Sequence, residues 1–292
     1  MPNCQKRVAL INDLTGFGRC SLTVQLPVLS ALGVQCCPVP TAVLSNHCGF
    51  DHYFIDDYTA KIPAYLSEWR RLGLSFDGIY TGFLSSQAQI DLVQQFIQEF
   101  AAPGALIMVD PVMGDEGIIS EPFDDALCSR MRRLIALADV ITPNLTEAAK
   151  LCDLPYDPSP DDEKLGLMGK RLISLGCQTA IITGIPHGDL VGNFIYRQNG
   201  TASWVWNSLC GQRRCGTGDL FSSVLMGCLL QHTVPSYELP MDTLEFAAQK
   251  AATFTQNALQ YSQAHQIPID DGIFFEPLLY QLTSVPSGNP VR

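Results

Sequence analysis

Gly216-Thr217-Gly218-Asp219-Leu220-Phe221-Ser222 joins a run of small residues directly to an apolar helical pattern, with a carboxylate in its first turn. A helix that begins this way leaves backbone N–H groups unpaired and aimed outward, with the positive end of the helix dipole behind them, and so cradles an anion. Asp219 has two readings there. It caps the helix, a common role for Asp at such a place. Alternatively it takes the proton of an alcohol attacking a phosphoryl group whose charge is held by the amides of Gly216, Thr217 and Gly218.

A phosphoryl donor of the nucleotide type needs magnesium, which takes one or two carboxylates and completes its shell with water and phosphate oxygens. Asp115, in a turn with Gly114 and Gly117, and Glu147, at the start of a helical segment, could supply them. Asp110 ends an apolar run before Pro111, and Asn144 flanks the same helix start as Glu147. Glu147 also suits a plain helix-start acid, because the spacing from Thr142 to Glu147 has the form of capping chemistry. Arg213 and Arg214 precede the anion cradle, either as a clamp on phosphate oxygens or as a solvated loop pair. The chain has no Gly-x-x-x-x-Gly-Lys-Ser/Thr loop and no Gly-x-Gly-x-x-Gly loop followed by Lys. Any nucleotide must therefore be held by another architecture.

These residues fall at the ends of elements that can be read from periodicity. Short Val- and Ile-rich runs at residues 8–13, 34–39, 78–82, 105–110, 140–142 and 180–183 alternate with helical patterns at 21–32, 59–72, 87–100, 126–137, 145–151 and 162–175. That alternation predicts an α/β fold, a three-layer αβα sandwich around a mostly parallel sheet. Residues 191–197 and 201–206 alternate on a two-residue period around Gln198-Asn199-Gly200, which predicts an antiparallel edge hairpin. Helices at 219–230 and 239–261 and an apolar patch at 273–282 complete the chain. No linker or internal repeat divides it, so residues 1–292 are expected to form one domain. In such sheets ligands bind beyond the carboxyl ends of the strands, where the residues above cluster.

The bulk properties narrow the partners. A net charge of -11 repels nucleic acid and anionic lipid, which bind largely through Lys and Arg. The apolar run at residues 8–11 is too brief for a signal-peptide core or a membrane span, so a cytoplasmic protein is expected. The 11 cysteines are odd in number and irregular in spacing, as expected of reduced thiols, and neither paired Cys-x-x-Cys nor clustered His points to zinc.

In this order, Asp110-Pro-Val-Met-Gly-Asp115, Thr142-Pro-Asn-Leu-Thr-Glu147 and Gly216-Thr-Gly-Asp219 resemble the motifs of the ribokinase-like superfamily. Leu44-Ser-Asn-His-Cys-Gly-Phe50 and Thr81-Gly-Phe83 resemble its pyridoxal kinase branch. The resemblance implies a ribokinase-like fold and transfer of the γ-phosphoryl group of Mg·ATP to the 5′-hydroxymethyl of a vitamin B6 form. It implies Asp219 as the base, with Gly216, Thr217 and Gly218 as the anion hole. Asp115 and Glu147 would serve Mg2+, and Asn144, Thr183, Arg214 and Thr217 would act on ATP. Asp110 and Thr142 would lie near a monovalent cation such as K+, and Asp13, Cys48 and Phe83 would meet the vitamin ring.

Three of these positions depart from the branch: Asp13 stands where Ser is usual, Cys48 where Thr is usual and Phe83 where Tyr is frequent. Asp13 could hydrogen-bond a protonated ring nitrogen or a hydroxyl, and Cys48 is either a packed thiol or one that adds to an aldehyde. His47 is read as structural. A hydroxymethylpyrimidine kinase and a non-catalytic ligand-binding relative are the alternatives. A sugar kinase is disfavoured because residues 8–13 pass almost directly into the helix at 21, leaving no room for an inserted lid. Members of the branch commonly pair, so a homodimer is expected.

Overall fold

The computed structural model describes residues 5–120, 123–232 and 239–283. Six strands run parallel: β2 (Gln35–Asn46), β1 (Arg7–Phe17), β4 (Phe76–Thr81), β5 (Ala101–Val109), β8 (Val140–Ile141) and β9 (Thr179–His187), side by side in that order. Antiparallel strands close both edges. The hairpin β10 (Leu190–Arg197) and β11 (Ala202–Ser208) continues from β9, and the short β3 (Ile55–Asp57) lies on β2. A small separate hairpin pairs β6 (Gly114–Asp115) with β7 (Ile118–Ile119).

Two apolar cores sandwich this sheet. One packs α2 (Ile62–Arg71), α3 (Gln87–Phe100), α4 (Asp125–Ile135), α5 (Leu145–Leu151) and α6 (Asp162–Ser174) against one face. The other packs α1 (Leu22–Ala31), α7 (Thr217–Leu230) and α8 (Met241–Ala264) against the opposite face. In α7 every residue from Leu220 to Leu230 is buried, as expected of a helix that is apolar on all sides. The β-strands alternate side chains between the two cores, so Ile79 enters one and Tyr80 the other.

The predicted three-layer sandwich and edge hairpin are present, but one corner differs. The strands predicted at 8–13 and 34–39 are longer: β1 continues to Phe17 and β2 continues to Asn46. The two stay paired beyond a register shift between Asn12 and Leu14, with Thr15 opposite Leu44 and Phe17 opposite Asn46. Polar residues and Gly16 disguised this extension as a turn, and three-residue β3 is too short to carry a period. The corner leaves Leu14, Phe17, Val43, Phe54 and Ile55 exposed.

Candidate active site

The carboxyl ends of the central strands form one polar shelf. Backbone pairing carries on past each strand: Gly82 N–H donates to the Ile11 carbonyl, Asp110 N–H to Thr81, Thr142 N–H to Val109 and Thr183 N–H to Pro143. Asn12, Thr81, Asp110, Thr142 and Thr183 are thereby set along one edge. Asn12 is buried, and its Oδ1 accepts from the N–H of Asp13 at 3.0 Å and of Phe83 at 2.8 Å. A Cβ on Gly82 would lie 2.4 Å from Asn12 Nδ2, so only glycine leaves room for that amide.

Helix α7 points its start at this shelf. Gly216 precedes it with φ 81°, and a Cβ there would lie 2.0 Å from the Arg19 carbonyl oxygen, so both backbone angle and space demand glycine. Nothing lies within 4 Å of where a Gly218 Cβ would be, which leaves space for a ligand beside this turn, while the Thr217 N–H is turned to the Arg214 carbonyl at 3.4 Å. Thr217 turns its hydroxyl back to the Arg214 carbonyl at 2.7 Å. Asp219 does not cap the helix, whose N-cap is Gly216 with no side-chain bond. Its Oδ2 accepts from Ser21 N–H at 2.8 Å and its Oδ1 faces Asn12 Nδ2 at 3.4 Å. Burial, with the nearby charge of Asp13, outweighs those two donors and raises the Asp219 carboxyl to about 6.

Asp13 is also buried, with Oδ1 accepting from Ser21 Oγ and Oδ2 from Thr15 Oγ1, both at 2.6 Å. Desolvation raises its carboxyl too, against the lowering effect of those hydroxyls. Phe83 is half-buried and meets the Phe123 ring edge-on at 6.3 Å. Cys48 is exposed, yet its thiol is raised by packing around the sulfur and then by Cys215 and Asp13, which disfavours a reactive thiolate. His47 accepts from Gly49 N–H at Nδ1, so Nε2 carries the proton donated to the Asp270 carbonyl. Both ring nitrogens serve the backbone.

The acids on the other side fall into two groups. Ser222, one turn into α7, is buried with its hydroxyl 3.3 Å from Asp110 Oδ2 and 3.1 Å from Thr142 Oγ1. Burial, then Glu147 and Asp219, raise the Asp110 carboxyl well above its usual range. Glu147 is buried as the partner of Asn144 in a capping box: its Oε2 accepts from Asn144 N–H at 2.8 Å, and Asn144 Oδ1 accepts from Glu147 N–H at 3.0 Å. Its Oε1 accepts from Met113 N–H at 3.1 Å, and burial raises it to about 8. Asn144 Nδ2 adds a bond to the Gly114 carbonyl, tying α5 to the β6–β7 hairpin.

Asp115 stands exposed on that hairpin, ion-paired to Arg213 at 2.6 Å, and Glu116 meets the same guanidinium at 3.0 Å. Arg214, expected to reach toward phosphates, instead donates to the carbonyls of Ile267 at 2.7 Å, Pro268 at 2.6 Å and Gly272. Its planar fork is taken up by a bend of the chain that offers several carbonyls together, so Arg213 is the cation that faces the acids. The residues the motifs did not reveal are Asn12 and Ser21. Ser21 and Asn12 meet Asp219 across 198 and 207 positions of sequence, a distance no local pattern spans.

A family model described as phosphomethylpyrimidine kinase matches residues 25–273. The chain belongs to this family. Phosphomethylpyrimidine kinase relatives with solved structures include a candidate phosphomethylpyrimidine kinase of Bacteroides thetaiotaomicron crystallised with pyridoxal, 38% identical over 95% of this chain and 96% of that one, with a TM-score of 0.88. Pyridoxal kinase of Lactobacillus plantarum is 28% identical over 95% and 96% of the two chains, with a TM-score of 0.85. Human pyridoxal kinase is 27% identical over 90% of this chain and 88% of its own length. The resemblance to the pyridoxal kinase branch of the ribokinase-like superfamily is borne out by these matches.

Proposed function

We propose that this member of the phosphomethylpyrimidine kinase family is a pyridoxal kinase, moving the γ-phosphoryl group of Mg·ATP to the 5′-hydroxymethyl of pyridoxal, pyridoxamine or pyridoxine. The observation that carries the reading is the Asp219 carboxylate, raised to about 6 by burial and fixed by Ser21 N–H in the first turn of α7, beside the glycine turn of Gly216 to Gly218. A base of that strength is ionised at neutral pH and still accepts a proton from an alcohol whose oxygen is bonding to phosphorus. The amides offer donors where charge develops on the transferring group. Asp13, Cys48 and Phe83 border the acceptor in this reading, and residues 1–292 form a single kinase domain.

On the nucleotide side, Asp115 has the exposure to hold Mg2+ once Arg213 releases it. Glu147 has both oxygens on backbone N–H groups, which suits contact with metal-bound water rather than with the ion. The oxygens of Asp110, Thr142 and Ser222 fit a buried monovalent cation, whose charge would offset the cost of ionising Asp110. Asn144, Thr183 and Thr217 lie on the shelf where phosphates would rest. Arg214 enters this reading only as a support of the neighbouring bend. A cytoplasmic homodimer belongs to the same proposal, with the apolar side chains of the extended β1–β3 corner available to a second copy.

Phosphorylation of a hydroxymethylpyrimidine is the second reading, favoured by the description of the matching family and by Asp13, an acid where the pyridoxal branch has Ser. The intact Gly216–Asp219 turn weighs against a non-catalytic binding protein. Purified protein incubated with Mg·ATP and pyridoxal, pyridoxamine, pyridoxine or hydroxymethylpyrimidine, beside Asp219→Ala, separates them by the mass of the product. Product from a B6 form that is lost in the variant is expected. Product from the pyrimidine alone transfers the chain to the second reading, and no product overturns both.

A further inference from the structure

Ser21 precedes α1 with φ 50° and ψ -134°, a backbone conformation that glycine takes with less strain, and it is buried. Its side chain does not cap its own helix. The hydroxyl instead donates to Asp13 Oδ1 at 2.6 Å, while the backbone N–H donates to Asp219 Oδ2 at 2.8 Å. One residue thus serves two carboxylates, one on β1 and the other on α7. Thr15 occupies the second oxygen of Asp13, so that carboxyl is held at both ends. Its partners are hydroxyls, and no Lys or Arg pairs with it among the described residues. Each carboxylate oxygen retains a lone pair. A donor edge or a protonated ring nitrogen on the acceptor would supply the missing positive partner.

We propose that Ser21 is a positioning residue that fixes Asp13 relative to Asp219 and thereby sets recognition of the donor edge of an aromatic acceptor, separately from the rate of phosphoryl transfer. The inference rests on the functional reading above. The backbone N–H serves the base and the hydroxyl serves the ring-facing acid, so the two contributions can be removed independently. A strained serine makes sense where the hydroxyl is the part that works, because a glycine would supply the N–H alone.

Ser21→Gly keeps the N–H and removes the hydroxyl, and Ser21→Ala removes the hydroxyl from an unchanged backbone. Both are expected to raise the pyridoxal KM about tenfold, the effect of losing one hydrogen bond to a charged group. The turnover number and the ATP KM are expected to stay within about twofold, since neither reports that contact. The glycine variant should melt above the alanine variant, which keeps the strained angle. In an Asp13→Asn background, Ser21→Gly should add little, because the residue acts through that carboxylate. An unchanged pyridoxal KM, a loss of kcat together with a rise in both KM values, or an undiminished effect in Asp13→Asn overturns the inference while wild type remains active. No phosphorylated product from wild type with any B6 form overturns the functional reading and this inference with it.

Discussion

Around Asp219 the partners are neutral donors brought in from far along the chain, whereas around Asp115 they are exposed charges on two neighbouring loops. Asp219 has the backbone of Ser21 and the amide of Asn12, both buried and both held by further bonds. Asp115 and Arg213 are 52% and 61% exposed, so their attraction is screened and cheap to exchange. The contrast follows from what each end must do in the proposed reaction. Proton transfer needs donors that do not reorganise as charge develops, while a site for a triphosphate and its metal must release a resident cation when they arrive. In that reading the acceptor end is preorganised and the nucleotide end is self-neutralised.

Gly216→Ala tests the preorganised end most severely. The new methyl would meet the Arg19 carbonyl at 2.0 Å on a backbone with φ 81°, so the first turn of α7 must move. Loss of one aligned donor costs roughly 100-fold in kcat, and that is the fall expected, together with a lower melting temperature. A variant with normal turnover would mean that the amides of Gly216 to Gly218 are not organised around the transferring charge.

The pH dependence gives a smaller effect, about tenfold per pH unit below the base's titration. As the proposed base Asp219 must be ionised to accept a proton, and burial raises it to about 6, so kcat is expected to fall as pH drops through 6. Stability runs the other way: a carboxyl raised in the folded state contributes most below its unfolded value of 3.8, and that contribution fades as pH rises through 6. Glu147 adds a second loss as pH rises toward 8. Activity and folded stability should therefore have opposite slopes between pH 4 and 6. Steady-state rates beside thermal melts across that range check this, and Asp219→Asn should flatten the stability slope. A rate that holds level down to pH 4 would remove Asp219 as the base.

The same contrast explains what the sequence disclosed. The Gly216–Asp219 turn and the central parallel strands are local patterns and occur where their spacing or period predicted; β1 and β2 run further than their periods showed, and the capping box at Glu147 uses Asn144 rather than Thr142. Helix α3 at Gln87–Phe100 and helix α5 at Leu145–Leu151 match to the residue. Ser21 and Asn12 carry no such signal, because their roles arise when β1 and the start of α1 are brought against α7. Arg213 and Arg214 are adjacent and chemically identical, so only the carbonyls near 267–272 and the acids near 115 distinguish them.

That pair of arginines supplies the finest test of the contrast. Arg214→Gln removes a half-buried guanidinium from three carbonyls and is expected to cost roughly 2 kcal/mol of stability, the usual scale for hydrogen bonds to a charged group. Arg213→Gln should leave the melting temperature nearly unchanged, since an exposed pair contributes little. It should instead lower the Mg2+ concentration needed for half-maximal turnover by about two- to fivefold, because Asp115 and Glu116 lose their resident cation. A magnesium titration at saturating ATP reads this directly. If Arg213 serves the nucleotide rather than masking the acids, the variant raises the ATP KM by about tenfold and leaves the magnesium midpoint in place. The nucleotide end would then be preorganised as well, and the contrast with Asp219 would vanish.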